Sequence, residues 1–107
     1  MSTTTTADHF DDGKVRVELV PYDALQEVAK AFGYGAKKYG DYNYLKGMPW
    51  LKLFGSTLRH LFKWSVGEDL DAESGESHLA HAGCDILMLI VYSQRKLGTD
   101  NRAKVQS

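Results

Sequence analysis

The chain has 107 residues, 43% hydrophobic and 25% charged, the composition of one globular domain with a modest core. Its formal net charge of -1 and pI of about 6.4 give no global positive field of the kind a nucleic-acid polymer would meet, so any phosphate recognition has to be local. A single cysteine, Cys84, excludes an intramolecular disulfide and suits a reducing compartment.

Residues 1–14, MSTTTTADHFDDGK, lack the basic and apolar regions of a secretory signal and read as a disordered leader. The longest apolar run, Ile86 to Tyr92, is far short of the roughly 20 residues that span a bilayer. A cytoplasmic protein without a membrane partner is expected.

In KVRVELVPYD, Val15, Val17 and Leu19 alternate with charged residues, which predicts a short extended segment ended by Pro21. From Asp23, a candidate N-cap, the spacing of Leu25, Val28, Ala29, Phe32 and Ala36 predicts a helix. Gly33 and Gly35 weaken it, each by up to about 1 kcal/mol relative to alanine, so a bend or early stop is expected there.

YGDYNYLKGMPW reads as a loop, and Pro49 suits the start of a second helix over about Trp50 to Val66. Leu51, Phe54, Leu58, Leu61 and Ser65 share one side of it, and Gly67 closes it. After the acidic turn GEDLDAESGES, Ser77 can cap a third helix running to about Leu97 before Gly98.

That helix is apolar around most of its circumference, so it should pack on several neighbours at once. The whole is an all-α bundle of about three helices over residues 15–98 with a short extended N-terminal segment. A flexible tail covers 99–107, and such a thin core suits completion as a homo-oligomer, a dimer or tetramer.

The chemistry-bearing residues concentrate in three places. His78, His81 and Asp85 fall on one face of the third helix over two turns and can converge on a divalent metal or on one another. A carboxylate directly before ILMLIVY needs a partner or a ligand.

His60 and Trp64 lie four apart on the second helix beside Arg59 and Lys63, with His60 at the edge of the apolar stripe. Glu68, at the end of that helix, is the loop acid placed to reach the histidine face, while the other acids of the loop read as solvated charge. FGYGAKKYGDYNYLKG combines flexible glycines, Lys37 and Lys38 for phosphate, and Tyr39 and Asn43 for sugar or base. Cys84 reads as a small buried apolar residue.

Taken together, FGYGAKKYGDYNY, LRHLFKWSVGEDLDAESG and HLAHAGCDILML resemble the small bacteriophage dATP/dGTP diphosphohydrolases, relatives of the all-helical MazG-like nucleotide pyrophosphohydrolases. The likeness runs from about Arg16 to Leu89. It implies metal-dependent hydrolysis of purine deoxynucleoside triphosphates to monophosphate and pyrophosphate, in the host cytoplasm if the chain is phage-encoded.

By that resemblance Asp85 matches the aspartate ending the second acidic motif. Where the family's usual pattern has a glutamate three residues earlier, this chain has Ala82, and Arg59 and His60 stand where a cluster of glutamates is usual. A site would then be rebuilt from His60, His81 and Asp85 with Glu68 or His78, around magnesium, manganese or cobalt. Imidazole ligands favour manganese, cobalt or zinc over magnesium. Lys37, Lys38 and Arg59 would meet phosphates, and Tyr39, Asn43 and Trp64 the sugar or base. The competing readings are a non-catalytic nucleotide-binding or dimeric interaction module and a His/Asp metal phosphohydrolase of another type.

Overall fold

A computed structural model describes residues 13–104; most of the expected leader and the last three residues lie outside that range. Three helices carry the fold: α1 (Tyr22–Tyr39), α2 (Trp50–Ser65) and α3 (His78–Arg95). Among the described residues there is no named strand. In place of the extended segment, Val17–Leu19 form a 3-10 turn. With no strand alongside to pair with, the backbone closes locally, Leu19 N–H to Arg16 O and Val20 N–H to Val17 O, both at 3.1 Å.

α1 starts after Pro21 rather than at Asp23, whose carboxylate sits in the first turn and accepts from Ala24 N–H. It then runs without a break through Gly33 and Gly35 to Gly40, where φ is 99°. Packing overrides the glycine cost: Ala31 is buried with Ala80 and Cys84 of α3, and Val28, Phe32 and Met88 close around them. Gly83 allows this approach, since a Cβ there would stand 3.0 Å from Val28 Cγ2.

α3 begins as expected, with Ser77 Oγ accepting from Leu79 and Ala80 N–H. It packs against both α1 and α2. α2 matches its predicted span but not its predicted face. Leu53 and Thr57 are buried, whereas Leu51, Phe54, Leu58 and Leu61 remain exposed on the outside.

Residues 99–102, expected to fray, fold back on the start of α2. Thr99 O accepts from Trp50 N–H, and Asn101 Oδ1 accepts from Leu51 N–H at 3.0 Å, satisfying N-terminal donors that Pro49 cannot cap with a side chain. Trp50 Nε1–H donates to Leu97 O, and the Arg102 guanidinium lies over the Trp50 ring. The buried Tyr92 hydroxyl donates to Tyr44 O at 2.6 Å. These bonds fix the loop between α1 and α2 against the end of α3.

No helix among the described residues is long and apolar enough to cross a membrane.

Candidate metal and nucleotide site

The connection between α2 and α3 is folded by its own backbone. Gly67, at φ 96°, turns the chain out of α2. Leu70 and Ser77 then form an antiparallel bridge, Asp71 N–H donates to Glu76 O, and His78 N–H donates to Asp69 O. Asp71 accepts from Ser74 N–H at 2.9 Å, the side-chain turn its type favours. The acidic loop is thereby laid over the first turn of α3, which brings Glu68, Asp71 and Ser74 to the histidines.

His60 from α2 and His78 from α3 face each other Nδ1 to Nδ1 at 2.9 Å, and His78 Nε2 lies 2.6 Å from Glu68 Oε2. A carboxylate only accepts, so His78 donates through Nε2 to Glu68. With His78 neutral, its Nδ1 accepts the proton of His60 Nδ1, which leaves His60 Nε2 with a free lone pair. His78 is fully buried.

His81 stacks on His60, rings 4.7 Å apart and 9° from parallel, and its Nε2 meets Ser74 Oγ at 2.6 Å. One ligand atom each from His60, Asp71 and His78 lies within 4.8 Å of the others. Burial, with His81 and His78 alongside, pushes the His60 imidazole below its ordinary pKa and so favours the neutral, ligating form. Burial acts on Asp71 in the opposite sense to its surroundings. Hydrogen bonds from Ser74, together with His81 and His60, still hold its carboxyl below the usual range.

The cluster stands at the end of a cleft of about 930 Å³ between α1 and the α2–α3 pair. Three cations line it, Lys38, Lys52 and Arg59, along with Tyr34, Tyr39, Tyr42, Asn43 and Tyr44. At its mouth Lys38 pairs with Glu73 at 3.2 Å, both exposed; Tyr34 and Lys38 hydrogen bonds hold the Glu73 carboxyl below its usual range.

Asp85 lines the same cleft, and its Oδ2 is buried without a hydrogen-bond partner. Burial raises its pKa, while a Ser56 hydrogen bond and the nearby His81 and Arg59 work the other way. Burial, reinforced by Asp85, also pushes the Cys84 thiol up to about 12, which fits its expected role as a packing residue.

The family model for the N-terminal region of dATP/dGTP diphosphohydrolases matches residues 4–102. The chain belongs to this family. A curated relative, the dATP/dGTP diphosphohydrolase of Salmonella phage PMBT28, is 29% identical over 93 residues, covering 87% of this chain and 32% of the relative. The chain therefore spans about a third of that protein's length. No solved structure gives a significant match.

Within this family member, the expected residues divide by position. His60, His81, Asp85, Arg59, Lys38, Tyr39 and Asn43 line the cleft, and His78 and Glu68 stand against its histidine end. Lys37 is exposed on α1, and it and Trp64 are absent from the cleft lining. His60, expected at an edge, faces α3 because α2 is rotated with Ser56, Arg59 and His60 toward the cleft. His78, in a turn where exposure is common, is covered by the acidic loop.

Sequence reasoning missed Asp71, Ser74, Lys52 and Ser56. Asp71 carried one readable signal, the Asp-x-x-Ser spacing of a side-chain turn, but nothing local showed that the turn would fold onto the histidines.

Proposed function

We propose that the protein is a divalent-metal-dependent hydrolase that cleaves dATP and dGTP between the α and β phosphates, releasing monophosphate and pyrophosphate. The observation that carries this reading is the convergence of His60, Asp71 and His78 at the end of a cleft lined by three cations, in a member of this family. Two imidazoles and one carboxylate suit manganese, cobalt or zinc better than magnesium. Glu68 fits the outer partner that fixes the tautomer and orientation of a ligating histidine, and a cation held by His78 Nδ1 would replace the hydrogen bond to His60 there. A bound cation would supply charge neutralisation at the phosphates.

The chain's own residues do the rest. Lys38, Lys52 and Arg59 hold the triphosphate, and the tyrosines with Asn43 line the part of the cleft open to sugar and base. Asp85, with an unpartnered oxygen and a raised pKa, accepts the proton of the attacking water. As the water oxygen bonds to the α phosphorus, the bond from that phosphorus to the bridging oxygen breaks and pyrophosphate leaves. His81, held by Ser74 and stacked on His60, is a positioning residue.

The test is product analysis of a deoxynucleoside triphosphate panel incubated with magnesium, manganese and cobalt in turn. Deoxynucleoside monophosphate and pyrophosphate from dATP and dGTP are expected. Release of inorganic phosphate alone, or of intact triphosphate, would overturn the reaction type.

A further inference from the structure

The cleft is lined by more acids than cations: Asp41, Asp71, Glu73 and Asp85 against Lys38, Lys52 and Arg59. A triphosphate entering it meets like-charge repulsion, and releasing an acid from its cation both removes a negative charge and frees a positive one. Among the described residues, Glu73 is the only one of the four acids within ion-pair distance of a cleft cation, its Oε1 lying 3.2 Å from Lys38 Nζ.

The Tyr34 hydroxyl donates to the same carboxylate. Tyr34 and Lys38 stand four apart on α1, so their polar ends meet on one side of the helix. The Tyr34 ring is edge-on to His81, centroids 5.9 Å apart, which sets these two donors beside the histidine cluster. Lys38 Nζ is also held over the Tyr34 and Tyr39 rings, 5.9 and 5.3 Å from their centroids, contacts that keep the ammonium in place when its anion changes. A hydroxyl and an ammonium converging on one carboxylate make a seat for an oxyanion, and a phosphate offers it the same kind of acceptor with more charge.

We propose that Tyr34 and Lys38 form the seat of a terminal phosphate and that Glu73 is its stand-in, filling the seat in the free protein and swinging out when a polyphosphate arrives. The inference deepens the nucleotide reading and rests on it for the identity of the ligand.

Two features make the carboxylate releasable. Its side chain is 64% exposed and that of Lys38 41%, so the pair is screened by solvent and weak. The turn that carries it is fixed by other groups: Asp71 Oδ2 accepts from Ser74 N–H, Asp71 O accepts from Gly75 N–H, and Ser74 Oγ is bonded to His81. Glu73 can therefore change rotamer while Asp71 stays with the histidines.

The experiment is calorimetric titration of the full, chelator-treated chain with inorganic tripolyphosphate and, separately, with dGMP. Glu73→Gln should bind tripolyphosphate about 3- to 10-fold more tightly than wild type, the scale of removing one exposed competing charge, with circular dichroism and Tm unchanged. Adding Tyr34→Phe should weaken that binding about 10-fold, the loss of one hydrogen bond to a charged group. Glu76→Gln, the same charge change in the same loop but outside the cleft lining, should bind as wild type does. dGMP, with no terminal phosphate to reach the seat, should bind wild type and Glu73→Gln alike. With dGTP and manganese, Glu73→Gln should lower KM by the factor seen for tripolyphosphate and keep kcat.

Tripolyphosphate bound no more tightly by Glu73→Gln than by wild type would overturn the proposal, as would an equal gain in Glu76→Gln or an equal gain for dGMP. A Glu73→Gln protein that melts lower and binds more weakly would overturn it too, and would mark the contact as a brace between α1 and the loop. Failure of the nucleotide reading shows separately, as tripolyphosphate binding that responds to Glu73→Gln and Tyr34→Phe in a protein that leaves dGTP intact.

Discussion

Asp85→Asn separates a catalytic role from a packing role more sharply than any other single change. The Asp85 carboxylate has one buried oxygen with no partner, and burial raises its pKa. The charged form is thus tolerated rather than favoured by the fold. Asparagine keeps the shape and removes the charge.

Asparagine leaves the same position without a partner but removes the added cost of burying a charge there, so the metal-free variant should gain stability on the order of 1 kcal/mol. In a domain of about 100 residues that is a rise in Tm of about 4–8 °C per kcal/mol. Turnover should fall in the same protein by about 10²-fold or more, the scale for losing a positioned proton acceptor.

The pH dependence has a defined sign. A carboxyl whose folded pKa lies above its unfolded value binds more protons when folded. Metal-free wild type should therefore lose stability as pH rises from about 4 through the raised pKa of Asp85, and Asp85→Asn should remove that component of the loss. Thermal denaturation across pH and steady-state turnover are the assays. An Asp85→Asn protein that melts lower than wild type and keeps its turnover would refute the reasoning and assign Asp85 to structure.

Other changes have distinct expected outcomes. Glu68→Gln should leave the fold in place yet weaken metal binding by about 10- to 100-fold, since it removes the carboxylate that orients His78; calorimetric titration with manganese measures it. Gly98→Ala should destabilise by at least about 2 kcal/mol, because the residue has φ 71° and its Cβ would collide with Met48 O. Chemical denaturation reads this out. Cys84, its thiol pushed up to about 12 by burial, should resist iodoacetamide at neutral pH and react only after denaturant is added, as mass spectrometry would record.

The helices were legible because their punctuation is local. Pro49 and Gly67 bracket α2, and Ser77 caps α3, all within a few residues of the elements they end. The Val15–Leu19 alternation misled because period-two patterning needs a neighbouring strand, and nothing nearby supplies one.

The candidate site was half legible. His60, His81 and Asp85 carry side chains whose cost of burial calls for a partner. Asp71 and the burial of His78 depend on how an acidic loop folds back through Leu70 and Ser77, a contact between segments that no periodicity encodes. The orientation of α2 shows the same limit. Its apolar stripe reads as core, but the chain turns the other face inward to place Ser56, Arg59 and His60 on the cleft.

The most direct measurement is a cobalt titration of chelator-treated protein, following the visible absorption of the bound ion and dGTP hydrolysis in the same samples, for wild type and for Asp71→Asn. One ion per chain is expected, with turnover rising in step with occupancy and both lost or sharply weakened in the variant. Hydrolysis at full rate without metal, or binding and turnover untouched by Asp71→Asn, would contradict the assignment of His60, Asp71 and His78 as the metal centre.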